Sequence, residues 1–290
     1  MVTIHPLLIS RETDDYRQQF TCIGIFKHAI NLQNKDGGLL TLHRYNKGLS
    51  PFGWLLRPDD FDHIQNCIEI SDNAVLTADY LYHQDFVINR QVRKVSCTIT
   101  TAQPQKPPVQ FPLELFTQAL SCCPQETGLF GPLDQIIRAP ISGELAEIQQ
   151  HYINWLWHET VDWEPYIGKG SGLTPSHDDT LIGMLFTSFY DFRTQTIFSE
   201  QLHSDGFFLS EATRKKLPEL TTYVSVAYYR SALNGAFSLP LLHLVNALRS
   251  NNLHKIRHST QKITQLGHTS GLDTLLGIWL AANALDRLSD

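Results

Sequence analysis

The chain has 290 residues, which is enough for one large domain or two modest domains with real cores. Its 42% hydrophobic and 18% charged residues exclude a largely disordered protein. The net charge of −6 and the lack of a long basic run argue against a nucleic-acid partner, so the short basic clusters 214–216 and 255–257 are interpreted as solvated helix faces.

The ends of the sequence and its cysteines favour a cytoplasmic protein. The N-terminus, MVTIHPLLIS, lacks the basic start and apolar length of a signal peptide. No run of about 18 uncharged apolar residues occurs, so we expect no membrane span. The five cysteines are an odd number without a CxxC pair, which predicts free thiols in a reducing compartment.

The first hundred residues predict a β-rich domain over residues 1–105, built as a small sheet or barrel. Short alternating or β-branched segments predict strands at 21–28, 38–43, 67–71 and 95–101. Turns are predicted at 34–38, where Asp-Gly and Gly-Gly accept positive φ, and at 50–53. The segment 102–108 holds three prolines and is the predicted domain boundary.

Helical periodicity follows and predicts a larger α-helical domain over residues 109–290, which makes the chain α+β. The predicted helices are 113–121, 144–157, 175–192, 211–217, 221–233, 239–251, 254–267 and 271–288. Helices 175–192 and 271–288 are apolar on nearly every face, so we expect them at the centre of a bundle.

The two central helices begin with nearly the same sequence. GLTPSHDDTLIG (172–183) and GHTSGLDTLLG (267–277) share the pattern G-x-T-x-[SG]…D-T-L-x-G. The pattern predicts caps at Thr174 and at Thr269 or Ser270, with Asp273 bonding back as in a capping box. Gly183 and Gly277 remove side-chain bulk, so we expect the helices to cross there and to bring their N-termini together.

Converging N-termini preceded by the glycine-rich GKGSG would offer amide hydrogens and hydroxyls to a small anion. The spacing fits neither GxxxxGK[ST] nor GxGxxG, and capping with close packing is the alternative explanation. Asp179 and Asp273 are the candidate catalytic carboxylates because both copies retain them; they would recognise an amide, act as general base or hold Mg²⁺. The candidate substrate-binding residues are Lys169, Gly170, Gly172, Thr174, Ser176, His177, Asp178, His268, Thr269 and Ser270.

These motifs resemble those of a bacterial family. GKGSGLTPSHDD resembles the GxGxGLTPSGDD signature of the AllH-like family, and GHTSGLDTLLG resembles its GHTSGxDxLxG signature. Segments 221–225 and 232–235 are similar to a third, weaker block. His177 departs from the family glycine, and would narrow the site, add an acid or base, or point to solvent.

The resemblance implies a subunit of oxamate carbamoyltransferase. The implied reaction is carbamoyl transfer between carbamoyl phosphate and oxamate, in purine (allantoin) catabolism, carried out in a hetero-oligomer with other subunits. The chain lacks the Ser-Thr-Arg-Thr phosphate loop of ordinary carbamoyltransferases. Transfer would need a group that stabilises the developing oxyanion, which helix N-termini assisted by Lys169 could supply.

Other functions remain open on the sequence. The chain could be a non-catalytic metabolite-binding regulatory subunit, or an Mg²⁺-dependent enzyme acting on a phosphorylated small molecule. No cofactor and no metal site is predicted, since His254 and His258 share a helix face but lack a third ligand. Trp155, Trp157 and Trp163 are expected either in the core or around a pocket.

Overall fold

The computed structural model describes residues 2–13, 17–46, 48–99, 109–194 and 208–288. The chain forms two compact units, Met1–Thr98 with Ala236–Leu239, and Ile99–Gly235 with Pro240–Asp290. The predicted α+β class is confirmed, because a curled sheet is followed by a helical region. The domain boundaries 1–105 and 109–290 stay a prediction.

The N-terminal unit is built on one ten-stranded sheet that curls into a half-barrel. Its strands are β1 (Val2–Ile4), β2 (Leu8–Ser10), β3 (Gln19–Phe26), β4 (Ala29–Asn34), β5 (Leu39–Arg44), β6 (Gly53–Leu56), β7 (Asn73–Leu76), β8 (Tyr80–Tyr82), β9 (Phe86–Asn89) and β10 (Lys94–Val95). Their order across the sheet is β1-β9-β8-β7-β3-β4-β5-β6-β2-β10. Phe20, Trp54, Phe61 and Phe86 are among the large side chains that fill its core.

In this unit, both predicted turns and two of the four predicted strands are confirmed. Gly37 N–H donates to Asn34 O at 3.1 Å and Gly53 N–H donates to Ser50 O at 3.1 Å, which confirms both turns. Strands β3 and β5 lie at the predicted segments 21–28 and 38–43.

Two other predicted strands are wrong. Segment 67–71 follows α1 (Pro58–Cys67), a helix that begins with Pro58 at its first turn and with Asp59 and Asp60 beside the positive end of its dipole. Segment 95–101 contributes only its first residue to β10, and Thr98 forms a single bridge to Ala236. The predicted boundary at 102–108 lies outside the described residues.

The C-terminal unit is helical. Its helices are α2 (Leu113–Leu120), α3 (Leu133–Arg138), α4 (Gly143–Leu156), α5 (Ser176–Tyr190), α6 (Glu211–Leu220), α7 (Tyr223–Ala232), α8 (Leu239–Arg249), α9 (Leu253–Ile263) and α10 (Ser270–Arg287). All eight predicted helices are present, and the sequence missed α3. No helix among the described residues has the length and apolar character needed to cross a membrane.

Helices α5 and α10 form the centre of this unit, as predicted. Nearly every residue of both helices is buried. A Cβ added at Gly183 would overlap Thr274 O, and a Cβ added at Gly277 would overlap Thr180 O. The two backbones therefore touch at these glycines, which confirms the predicted crossing point.

Two of the three tryptophans near the glycine-rich segment, Trp155 and Trp163, belong to the core. Trp155 and Trp163 are buried, and both rings pack on Phe208, with centroid distances of 5.4 Å and 4.7 Å. Trp157 is exposed.

Candidate functional site

The beginnings of α5 and α10 meet. The hydroxyl oxygens of Thr174 and Ser270 lie 2.7 Å apart and share a hydrogen bond. The prediction that the two N-termini come together is therefore confirmed. We call this place the junction, and its polar residues are Thr174, Ser176, Asp179, Ser270 and Asp273.

Thr269 lies at the predicted cap position of α10 without a side-chain cap bond, and the predicted cap of α5 at Thr174 is wrong. The side chains of Ser210, Thr222 and Asn252 accept a hydrogen bond from a backbone N–H at the start of α6, α7 and α9. In contrast, α5 and α10 have Pro175 and Thr269 at their cap positions and no side-chain cap bond. The backbone supplies one substitute, because His177 N–H donates to Lys169 O at 3.1 Å.

Asp178 holds the glycine loop (residues 168–172) in place. Its Oδ1 accepts hydrogen bonds from Gly168 N–H at 2.8 Å and from the Tyr229 hydroxyl at 3.1 Å, and its Oδ2 accepts one from the Thr221 hydroxyl. Both carboxylate oxygens are thus engaged by protein donors. This arrangement gives Asp178 a loop-positioning role, and its predicted contact with substrate stays a prediction.

Lys169 and His177 share one carboxylate on α4. Lys169 Nζ donates to Glu144 Oε1 at 2.7 Å, so the lysine charge is balanced before any ligand arrives. His177 Nε2 lies 3.7 Å from Glu144 Oε2. The His177 side chain is fully buried, and this burial lowers its pKa although Glu144 opposes the shift. His177 therefore faces the protein, and the alternative of a solvent-facing side chain is wrong.

A loop that the sequence reading missed completes the surroundings of the junction. Residues 127–131 form a tight turn in which the Thr127 hydroxyl donates to Gly131 O and accepts from Phe130 N–H. Gly128 N–H donates to Asp273 Oδ1 at 2.9 Å. The Phe130 ring stacks on His177 with centroids 5.5 Å apart and planes 7° apart. The only available signal was a Thr-Gly pair without periodicity, and it does not indicate a partner 145 residues away.

Gly128 lies against the junction so closely that a side chain would enter it. A Cβ built at this position would lie 2.8 Å from Ser176 Oγ and 2.9 Å from Asp273 Oδ2. Both distances are shorter than ordinary van der Waals contact. Glycine is therefore the residue that fits at this position without displacing Ser176 or Asp273.

The two candidate carboxylates are buried in surroundings that disfavour charge. Asp273 is 0% exposed and Asp179 is 6% exposed. Burial raises the pKa of Asp179 well above its ordinary value, and the charge of Asp273 raises it further, while the hydroxyls of Thr174 and Ser270 oppose the shift. Burial also raises the pKa of Asp273, against the opposing bond from Gly128 N–H.

Each carboxylate keeps one oxygen unused. Asp179 Oδ2, Asp273 Oδ2 and Ser176 Oγ are buried without a well-formed hydrogen bond among the described residues. Leaving such a group unpaired costs about 1–3 kcal/mol, and more when it is charged. These oxygens would thus be stabilised by a ligand that donates hydrogen bonds.

The remaining candidate residues lie at the edge of this arrangement. Thr269 interacts with Asp273 through its hydroxyl. Gly170, Gly172 and His268 are exposed, and both glycines have positive φ. Within the described ranges, no group of three or more His, Cys, Asp or Glu side chains is placed to hold a metal ion.

Fold and site together define an α+β protein whose two central helices begin at one acceptor-lined junction. The chain matches the family described as "Oxamate carbamoyltransferase subunit AllH" over residues 166–282, and the "AllH family N-terminal domain" over residues 16–102. These matches cover most of the chain, so the protein belongs to the AllH family. No solved structure matches it.

Proposed function

We propose that the chain is the subunit of an oxamate carbamoyltransferase that binds the amide group of its substrate at the junction of α5 and α10. The observation that carries the proposal is the set of three buried oxygens that lack a well-formed hydrogen bond among the described residues, Ser176 Oγ, Asp179 Oδ2 and Asp273 Oδ2. The family description supports the class of enzyme. The proposal includes work alongside other subunits in purine (allantoin) catabolism.

The chemistry of these oxygens favours a primary amide as the bound group. Oxamate and carbamoyl phosphate each carry a –C(=O)NH₂ group, whose nitrogen donates two hydrogen bonds. Two carboxylate oxygens accept such a pair, and the hydroxyl of Ser176 can donate to the amide oxygen. A buried site with unpaired acceptors discriminates strongly against analogues that lack the donors.

Asp179 is also suited to take a proton during transfer. When the amide nitrogen of oxamate attacks the carbamoyl carbon of carbamoyl phosphate, a C–N bond forms and the C–O bond to phosphate breaks. The attacking nitrogen must lose one proton, and phosphate leaves with the bonding electron pair. A carboxylate with a raised pKa is a better proton acceptor than an ordinary aspartate, so Asp179 serves second as general base.

At the junction, the described part of this chain offers few free donors or cations to the anionic end of the substrate. Helix N-termini favour an anion, but His177 N–H is already bonded to Lys169 O and the Lys169 charge is balanced by Glu144. We therefore assign the amide end to this chain, with phosphate neutralised in part by another subunit. Stabilisation of the oxyanion by Lys169 stays part of the proposal.

Isothermal titration of the purified chain with oxamate and with carbamoyl phosphate tests the proposal. We expect binding by the wild type and at least a tenfold loss of affinity in Asp179→Asn and in Asp273→Asn, because an amide NH₂ would then face the substrate NH₂. Asp286→Asn is the matched control, since Asp286 lies exposed on the same helix α10. Equal affinity in all four proteins would contradict the proposal.

Two further outcomes separate the alternatives. Binding of oxamate without turnover, even after the other subunits are added, would favour a metabolite-binding regulatory subunit. Binding of MgATP that depends on Mg²⁺ would favour an enzyme acting on a phosphorylated small molecule. The described residues do not favour the Mg²⁺-dependent enzyme, because their carboxylates form no cluster of metal ligands.

A further inference from the structure

The positive charge of this chain is unevenly distributed. Residues 220–272 contain five of the 23 lysines and arginines and none of the 29 aspartates and glutamates. The rest of the chain is therefore strongly acidic, while this segment is basic. It contains α8 and α9 and ends where α10 begins.

Helix α9 presents most of these cations on one solvent-facing surface. Its buried residues, Ile256, Ser259, Thr260 and Ile263, pack into the helical unit. The surface opposite them is the basic face, and its exposed residues are His254, Lys255, Arg257, His258, Gln261 and Lys262. Arg249 lies exposed at the end of α8.

Among the described residues, neither the cations of the basic face nor Arg249 of α8 forms an ion pair with a carboxylate. None of the ion pairs among the described residues involves Arg249, Lys255, Arg257 or Lys262. Lys215 and Lys216, in contrast, pair with Glu211 and Glu164. The basic face thus keeps a positive field that an external group can meet.

The buried side of α9, opposite the basic face, contacts the start of α10. A Cβ added at Gly271 would overlap Ile263 O, so the last turn of α9 touches the backbone of the first turn of α10. Gly271 N–H further donates to Leu266 O at 3.1 Å.

We propose that the basic face of α9 docks an acidic surface of another subunit of the enzyme. The inference rests on the subunit role in the proposed function, and does not depend on which ligand the junction binds. Charge complementarity argues for this occupant, because Lys255, Arg257 and Lys262, which form no ion pair among the described residues, would steer and orient a carboxylate-rich surface.

A protein partner fits this face better than other polyanions. A chain with a net charge of −6 would repel nucleic acid outside the short basic segment. The exposed positions of the face include no apolar side chain that could enter a lipid surface. An acidic protein surface requires neither a long basic track nor apolar insertion.

Assembly of the full-length chain with the other carbamoyltransferase subunits tests the inference. Dissociation constants are measured by analytical ultracentrifugation at 50 and 300 mM NaCl. We expect assembly by the wild type, weaker assembly at the higher salt concentration, and at least a tenfold weaker complex for the pair Lys255→Glu with Lys262→Glu. The pair Lys27→Glu with Lys35→Glu changes net charge equally at exposed sites in the N-terminal unit, and should stay within threefold of the wild type.

The controls keep the result decisive. If charge reversal lowers the melting temperature, the neutral pair Lys255→Gln with Lys262→Gln replaces it and should still weaken assembly. The inference would be overturned if both reversed pairs weakened assembly equally, if the α9 pair had no effect, or if the wild type did not assemble. It would also be overturned if a 20-base-pair DNA duplex bound in an α9-dependent way while assembly stayed unchanged. Oxamate titration of the α9 pair should match the wild type, so loss of oxamate binding in every protein would count against the proposed function alone.

Discussion

Asp179 and Asp273 keep carboxylates in surroundings that oppose their ionisation. Both side chains are buried, and each leaves one oxygen without a well-formed hydrogen bond among the described residues. Natural proteins tolerate such groups where function requires them, although stability suffers. At the residue scale, this cost is the strongest reason to place function at the junction.

The raised pKa of Asp179 makes its effect on stability depend on pH. Between the unfolded value of 3.8 and the higher folded value, the folded state binds more protons, so its contribution to the free energy of unfolding falls as pH rises. The substitution Asp179→Asn removes this fall in the free energy of unfolding, because asparagine does not titrate. We expect the variant to gain stability over the wild type, and to gain more at pH 8 than at pH 5, in urea denaturation.

The comparison of variant with wild type cancels the titration of all other groups. Asp286→Asn, a substitution at an exposed position of α10, is the control. A pH-independent difference for Asp179→Asn would mean that Asp179 is an ordinary carboxylate, and would remove the argument for a proton-accepting role.

Gly128→Ala tests the space beside the acceptor oxygens. The added methyl group would lie within 2.9 Å of both Ser176 Oγ and Asp273 Oδ2 and would displace these two proposed amide contacts. We expect at least a tenfold loss of oxamate affinity by calorimetry, with the far-ultraviolet circular dichroism unchanged. Leu129→Ala changes the exposed neighbour in the same loop and should bind normally; equal binding by both variants would place the ligand elsewhere.

At the scale of elements, the junction depends on the contact between α5 and α10. A methyl group at Gly183 must displace the backbone carbonyl of Thr274. Overpacking of this kind costs about 1–3 kcal/mol. We expect Gly183→Ala and Gly277→Ala each to lower the free energy of unfolding by about 2 kcal/mol or more in urea.

A surface substitution on a neighbouring helix provides the reference for this prediction. Asn246 is exposed on α8, so Asn246→Ala should change stability by less than about 0.5 kcal/mol. If the glycine variants were as stable as this control, the two backbones could separate without cost, and the close crossing would not position the junction.

The sequence predicted the two helices and their crossing, but not the hydrogen-bond partners of the polar side chains at their starts. Apolar periodicity and the two glycines are local signals, and both describe how α5 and α10 pack. The hydroxyls of Thr174 and Ser270 looked like caps because cap preferences are also local. They bond to each other instead, because the crossing brings the two helix ends within reach.

Long-range contacts explain the other failures. Helix α1 is an exception, because Pro58 and the two aspartates after it are local signals of a helix start that the prediction overlooked. The 127–131 loop has no pattern of its own and gains its importance from Gly128 N–H on Asp273 and from Phe130 on His177. Such pairings are set by the fold rather than by neighbours in sequence.

At the scale of the whole molecule, the family matches include the junction but leave out some residues that contact it. The matches cover 16–102 and 166–282, while Gly128, Phe130 and Glu144 lie between them. These residues nonetheless contact Asp273, His177 and Lys169. The intermediate segment therefore belongs to the candidate site as much as the two motifs do.

A crystal structure of the chain soaked with oxamate tests the central claim most directly. The account predicts that the oxamate nitrogen lies within about 3.2 Å of Asp179 Oδ2 or Asp273 Oδ2, the limit for an N–H···O hydrogen bond. Oxamate bound elsewhere, or a junction that contains only water at saturating oxamate, would contradict the account.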